Sequence, residues 1–342
     1  MDLPWTGTHD DLTAAARKHL EDHYPLQRIT ELSGYDAVDT HAWRRLITQG
    51  WLDPELTPTE LAILAEQSGR ALHPGPWLST AAFGMPLLAT AGMAVQEPTA
   101  LAHHTDSLTA EHRAAQWLLS GIATDVIDAH LASVIAVVAD THDGPAVFTI
   151  RADDPTAQVT TSADVDLFRP HNRLRLHDTP ATLALDARHS AAALTHTRRH
   201  AAALIASEAV GVADRALDLA VSYAGIRHQF NRPIATFQAV AHQLAASYAD
   251  IELARSLARH TAHVLSTDPT GDNIDDDIAC ALYASTRAAV SVCETAIQIH
   301  GGIGVTYDFP LHHWYRRALW TERFADQHNP LDHLADTLLG PA

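Results

Sequence analysis

YAGIRHQFNRPIATFQ (residues 223–238) and QIHGGIG (residues 298–304) are the two stretches whose reading decides how this chain folds. Arg227 supplies a guanidinium that can pair with a pyrophosphate. Gln229 and Gln238 supply amides for phosphate or adenosine groups, and Phe230, with Phe237 nearby, offers a flat apolar wall. After Gln298, the glycines Gly301, Gly302 and Gly304 let the main chain approach a phosphate or sugar closely and leave a helix in a conformation closed to other residues. Read singly, the first set is a solvated helix end before a turn at Pro233, and the second is a helix stop. Read together, an arginine, aromatic and amide set on one helix and a glycine turn ending another can hold a dinucleotide's phosphates and adenine without a glycine-rich strand-to-helix fingerprint.

Outward from these stretches the apolar residues keep a helical period over 199–226, 237–266 and 277–300, with DPTGDN as a breaker between the last two. Three long amphipathic helices and a shorter terminal one make an antiparallel four-helix bundle. Upstream lie SVIAVVA (133–139), AVFTIRA (146–152), AQVTTSA (157–163), RLRLH (173–177) and ATLALDA (181–187). They are short, rich in β-branched residues and separated by Asp, Gly and Pro, which predicts a small antiparallel barrel or sandwich. From Asp10 to about Gly92 the helical spacing returns, as in Leu12, Ala15, Ala16 and Leu20, with Gly69, Pro74 and Pro76 as punctuation. The expectation is a mainly α chain with a small β domain: a helical domain at 1–112, a β domain at 113–188 and a helical bundle at 189–342.

With 23 Lys and Arg against 41 Asp and Glu, the formal charge is −18. A general binder of nucleic acid or of an anionic membrane needs the opposite balance, so an anionic ligand must be met by a local cluster. MDLPWTGTHDD at the start has no basic region followed by an apolar one, and no apolar run reaches membrane-spanning length, so a cytoplasmic protein is expected. Cys280 and Cys293 have no CxxC or histidine partner spacing and read as reduced packing residues. The 24 histidines include His103 with His104, His196 with His200, and His312 with His313. No cysteine or carboxylate stands at ligand spacing beside them, so surface or interface roles are expected and no metal. Arg198, Arg199 and His200 either meet ligand phosphates or form a solvated helix start.

The paired stretches are similar to RxxFGxxxxxxQ and QxxGGxG of the acyl-CoA dehydrogenase family. VTYDFPLHHWYRRALW (305–320) continues the likeness to that family's GGxGxxxExPxxRxxRDA, with Asp308 where a glutamate usually stands and Arg317 where the aspartate does. The LHHWYRRAL variant looks most like short actinobacterial homologues, many of which assemble with a second, different homologue. The order helix, small β domain, bundle also matches, so the resemblance covers nearly the whole chain. It implies the acyl-CoA dehydrogenase fold and an FAD, bound mainly to a neighbouring subunit, gripped by Arg227, Gln229, Phe230, Phe237, Gln238, Gln298, Gly301 and Gly302. It further implies an acyl-CoA or acyl-carrier-protein substrate, a homo- or hetero-oligomer with a homologue, and an electron-accepting flavoprotein. In the family reaction a carboxylate removes the α proton while the flavin receives the β hydride, giving a 2,3-enoyl thioester.

The same resemblance marks departures. Asn231 replaces the glycine after the phenylalanine, and asparagine tolerates a left-handed turn. The usual glutamate base falls at Ala325, and the minority position, on the long helix, falls at Ala201. Glu208, Glu322 and Asp326 are the nearby carboxylates; Glu208 and Asp326 are the candidate catalytic residues, Glu208 being either raised in pKa and useful or paired and structural. Asp125 and Ile127 fall where a Trp and a Thr contact the isoalloxazine, ALAHHTDS (100–107) lacks the usual glycine–serine pair, and GWLDPELTPTE (50–60) bridges the place of PExxGG. The chain therefore keeps the half of the site that reaches across to a neighbour and loses much of the half that holds its own flavin. Three roles are compatible with this: an FAD-associated subunit beside a catalytic homologue, a flavin-free scaffold, or a cyclase or lyase using the old acyl pocket without net redox change.

Overall fold

A computed structural model describes residues 5–29, 39–103, 108–162 and 164–340. The chain sorts into two compact units. One gathers α1 (Gly7–His23), α3 (Pro58–Ala71), most of α6 (Ala187–Ile226), α7 (Gln238–Thr267), α8 (Ile274–His300), α9 (Leu311–Gln327) and α10 (Pro330–Leu339). The other holds α2 (Thr40–Thr48), α4 (Trp77–Ser79), α5 (Met85–Thr90) and the strands β1 to β7. The fold is mainly α with a small β region, as the sequence pattern requires.

In the helical unit, local chemistry sets the ends and small residues set the packing. Thr57 and Glu60 cap α3 reciprocally: the Thr57 hydroxyl accepts the Glu60 N–H, and the Glu60 carboxylate accepts the Thr57 N–H at 2.7 Å. Helix α6 starts at Ala187, twelve residues before the expected 199, because Asp186 caps it through the backbone N–H of His189 at 3.2 Å. Its inner face is alanine-rich, with Ala201, Ala206, Ala209, Ala213 and Ala216 fully buried or nearly so. At Gly69 and Gly211 the backbones of α3 and α6 touch: a Cβ on Gly211 would lie 1.8 Å from the Glu66 carbonyl oxygen, and one on Gly69 would lie 2.1 Å from that of Glu208. A charge ladder runs beside this contact. Arg255 of α7 donates to Glu66 at 3.0 Å and to Asp214 at 2.9 Å, while Arg70 contacts both Asp214 and Asp218.

In the other unit, β1 (Thr99–Ala102), β2 (Thr109–Arg113), β3 (Gln116–Ile127), β4 (Val134–Thr141), β5 (Gly144–Arg151), β6 (Ala157–Thr161) and β7 (His171–Leu185) form one sheet. Strand β4 pairs with β2 and β5, β5 with β7, β7 with β3 and β3 with β2, so the sheet closes on itself as a barrel. Leu119, Val126, Ile135, Val137, Phe148, Leu174 and Leu176 fill it. RLRLH and ATLALDA, expected as two strands, are one: the break at Asp178, whose φ is 47°, is absorbed by a register shift between Leu119 and Gly121 on the neighbouring strand. Strands β1, β2 and β3 were not expected from their residues. TALA is buried on every residue and TAEHR is exposed on all but one, so neither alternates.

His200 gives this unit an acid sensitivity. It is buried against the π-helical turn Thr80–Gly84, where its ring is hydrogen-bonded to the Ala82 carbonyl. Burial, and then neighbouring His196, push its pKa down to about 4, and the Ala82 bond only partly offsets them. In the unfolded chain the imidazole takes its proton near 6.5, whereas the folded chain resists it until about pH 4. Stability is therefore lost as pH falls through that window, by about 3 kcal/mol for this group. Urea unfolding at pH 7 and pH 4.5 should show this loss in the wild type and not in His200→Asn. Equal pH dependence in the two proteins would remove His200 from the account.

Candidate functional site

Residues 223–238 leave helix rather than continue it, which corrects the expectation of one helical set. Helix α6 ends at Ile226; β8 (His228–Gln229) and β9 (Arg232–Pro233) form a two-residue hairpin, and α7 begins at Gln238. Phe230 and Asn231 take φ of 52° and 62°, the left-handed pair of a type I′ turn, which no helix accommodates. Asn231 thus adopts the conformation for which a glycine would be the default. The hairpin is closed by the Ile234 N–H donating to the Arg227 carbonyl at 2.8 Å. Arg227, Gln229, Phe230 and Gln238 are exposed, Phe230 at 87%. Phe237 is half-buried and meets Phe230 edge-on, with 6.1 Å between ring centroids.

The glycine turn lies beside the hairpin's root. Helix α8 stops at His300, and Gly301 follows at φ 63° and ψ −140°, a conformation open only to glycine. Gln298, Gly301 and Gly302 are exposed, whereas a Cβ on Gly304 would come within 3.0 Å of His300 and of the Ile297 carbonyl. Tyr223 stacks on His300 at 4.4 Å, and His300 contacts Phe309 at 4.8 Å. This aromatic column ties the end of α6 to the end of α8 and so brings the two stretches together. Burial lowers the His300 pKa, and its Nδ1–H donates to the Ala296 carbonyl at 2.8 Å, so a neutral ring sits in the column. Neither Tyr223 nor His300 was singled out from the sequence; the i−4 spacing of Tyr223 from Arg227 is the signal that could have found the first.

At the two positions where the resemblance puts a base, Ala325 is 3% exposed and Ala201 is fully buried. Glu208 is fully buried on α6, and its carboxylate accepts from Arg317 of α9 at 2.7 Å, both side chains at 0% exposure. That contact engages Glu208 with the protein's own guanidinium and gives it no solvent-facing side. Asp326 is exposed in a groove of about 430 Å³ lined also by Tyr283, Arg287, Glu322 and Ala325. Burial, and then Asp326, raise the Glu322 pKa.

On the barrel, Asp125 sits in a left-handed conformation, φ 57°, at the register break between Ala123 and Val126. His171 Nδ1 lies 3.7 Å from its carboxylate, and His171 Nε2 lies 3.3 Å from Asp164. Ile127 pairs with His171 across β3 and β7. Of the ALAHHTDS loop, His104 to Ser107 lie outside the described residues. His196 and His200 stand 6.4 Å apart and His312 and His313 4.1 Å apart, ring to ring. Among the described residues no three His, Cys, Asp or Glu side chains converge as a metal site, and no helix is long and apolar enough to cross a membrane. Cys293 is buried with its thiol pushed up by that burial.

Residues 191–325 match the family model described as acyl-CoA dehydrogenase, C-terminal domain. Over 290 residues, 82% of this chain and 80% of the relative, the sequence is 31% identical to acyl-CoA dehydrogenase IpdE2 of Mycobacterium tuberculosis. The ChsE4–ChsE5 complex of Mycobacterium tuberculosis contains a chain that superposes with a TM-score of 0.86 over 100% of both chains, at 24% identity. The Tcur3481–Tcur3483 steroid ACAD gives a TM-score of 0.81 over 97% of this chain and 98% of that one, at 26% identity.

Proposed function

Because this chain belongs to the acyl-CoA dehydrogenase family, we propose that it serves as an FAD-associated subunit beside a catalytic homologue, in the α,β-dehydrogenation of an acyl thioester carried by CoA or a carrier protein. The observation that carries this reading is an asymmetry. The clamp residues Arg227, Gln229, Phe230, Gln238, Gln298, Gly301 and Gly302 are exposed, whereas Ala325 and Ala201 put buried methyl groups where a proton acceptor would stand. Two complexes of paired chains among the structural relatives support the heteromeric part of the proposal.

The clamp fits a dinucleotide: a left-handed hairpin and a glycine at φ 63° present backbone and amide groups outward, with an arginine at the hairpin's root. Arg227 would meet the diphosphate, the glutamine amides the phosphate or adenosine groups, and the Gly301–Gly302 main chain would approach closely where a side chain would intrude. Bound FAD would supply acceptance of the β hydride, and the partner's carboxylate the removal of the α proton. On the barrel, the Asp125 carboxylate facing His171 offers a charged group where a flat ring needs an apolar wall. In this reading the chain's own barrel is not the flavin's seat. That substitution equally favours a second reading, a flavin-free scaffold or a non-redox lyase on the same fold.

The test is turnover. Ferrocenium reduction with a panel of acyl thioesters should be about 10²- to 10⁴-fold slower for the pure chain than for its complex with a glutamate-bearing homologue, the usual cost of losing a positioned base. Robust turnover by the pure chain would refute the auxiliary role. A colourless complex that never takes up FAD would favour the scaffold or lyase.

A further inference from the structure

The clamp's hairpin carries a second cation that the motif leaves open. Arg232 stands opposite Gln229 across β8 and β9 and is exposed. Its guanidinium lies 4.1 Å above the ring centroid of Phe237, which Phe230 supports edge-on. Stacking on a ring orients a guanidinium while leaving its N–H groups, which point outward in its own plane, unspent. Carboxylate pairing does the opposite, as at Arg255, whose donors are taken by Glu66 and Asp214. Among the described residues neither Arg227 nor Arg232 has a carboxylate partner. Residues 223–238 contain no Asp or Glu, although the chain has 41 of them. A net-acidic molecule thus presents a locally cationic hairpin whose geometry is fixed by a type I′ turn and the Ile234-to-Arg227 hydrogen bond.

One guanidinium serves a monophosphate as well as a diphosphate; two, one at the hairpin's root and one on β9, suit two linked phosphoryl groups. We infer that Arg232 is a second phosphate-binding residue, held in place by Phe237, so that the clamp recognises a nucleotide's diphosphate with two guanidiniums. This rests on the clamp reading above and adds to it a residue and a preference for diphosphate over monophosphate.

The experiment is calorimetric titration of the full chain with ADP, FAD and AMP at low and high salt, circular dichroism confirming that each variant stays helical. Arg232→Gln should raise the Kd for ADP and FAD about 10- to 100-fold, the range for losing a hydrogen bond to a charged group, and that for AMP by less. The same variant should flatten the fall of ADP affinity with salt, a response that a packing role would not give. Arg232→Lys should recover part of the affinity, and Phe237→Leu, which keeps an apolar contact but removes the ring, should weaken ADP binding several-fold. If Arg232→Gln binds ADP and FAD like the wild type while Arg227→Ala does not, the inference falls and the clamp stands. Binding that neither substitution alters, or no saturable binding by the wild type at millimolar nucleotide, would remove the clamp and the inference together.

Discussion

Gly211→Ala is expected to destabilise the helical unit by about 3 to 5 kcal/mol, more than an ordinary overpacked side chain costs. The added methyl would lie 1.8 Å from the Glu66 carbonyl oxygen and 2.9 Å from the Arg70 backbone nitrogen. Both atoms belong to the backbone of α3, so no side chain can rotate away and the two helices must separate. Separation also loosens the Gly69 contact with Glu208 and the bonds of Arg70 to Asp214 and Asp218, all on the same pair of helices. Alanine's better helix propensity returns only about 1 kcal/mol. Gly225→Ala is the matched control: it lies in the same helix with nothing within 4 Å of its new Cβ, so it should be neutral or stabilise by up to about 1 kcal/mol. Denaturant melts of the two variants side by side decide the matter, and a Gly211→Ala protein as stable as the Gly225→Ala control would show that α3 and α6 do not pack backbone to backbone.

That contact also marks where sequence reading stops. Helical period placed α7 and α8 within three residues of their ends, because long amphipathic runs repeat the same face many times and errors average out. The barrel was legible over β4 to β7, where short apolar runs are set apart by Asp, Gly and Pro; TALA and TAEHR carry no such signal, since tertiary neighbours rather than alternation decide their burial. Asn231 could be read as a left-handed residue from its type, whereas Phe230 at φ 52° could not, since an aromatic takes that conformation only when the turn imposes it. The proposed cofactor clamp could be read as a motif because each of its two halves, 223–238 and 298–304, is a short continuous stretch. Arg232 stacked on Phe237 and Tyr223 stacked on His300 were not, because a ring contact has no sequence spacing of its own. The fate of Glu208 was the hardest to foresee: its partner Arg317 is 109 residues away, and only the bundle brings them together.

Arg317→Met should cost about 3 to 5 kcal/mol, because it leaves the Glu208 carboxylate in a site with 0% exposure and without its guanidinium partner. Glu208→Gln should cost less than the arginine replacement, since a neutral amide can still accept from Arg317 and leaves a charge-assisted bond in place. Replacing both, as Glu208→Leu with Arg317→Met, should recover most of the loss, since a buried ion pair exchanged for hydrocarbon of similar volume is close to neutral. A double-mutant cycle on denaturant melts measures this, with a large coupling energy as the expected signature of a pair that serves structure. The same variants discriminate the catalytic alternative. If Glu208 were the base, Glu208→Gln would abolish turnover of the assembled enzyme with stability nearly unchanged; if it is a buried anchor between α6 and α9, turnover should decline only as far as the melts do. A cycle with no coupling, combined with loss of turnover in a stable Glu208→Gln protein, would move Glu208 from anchor to base and return catalysis to this chain.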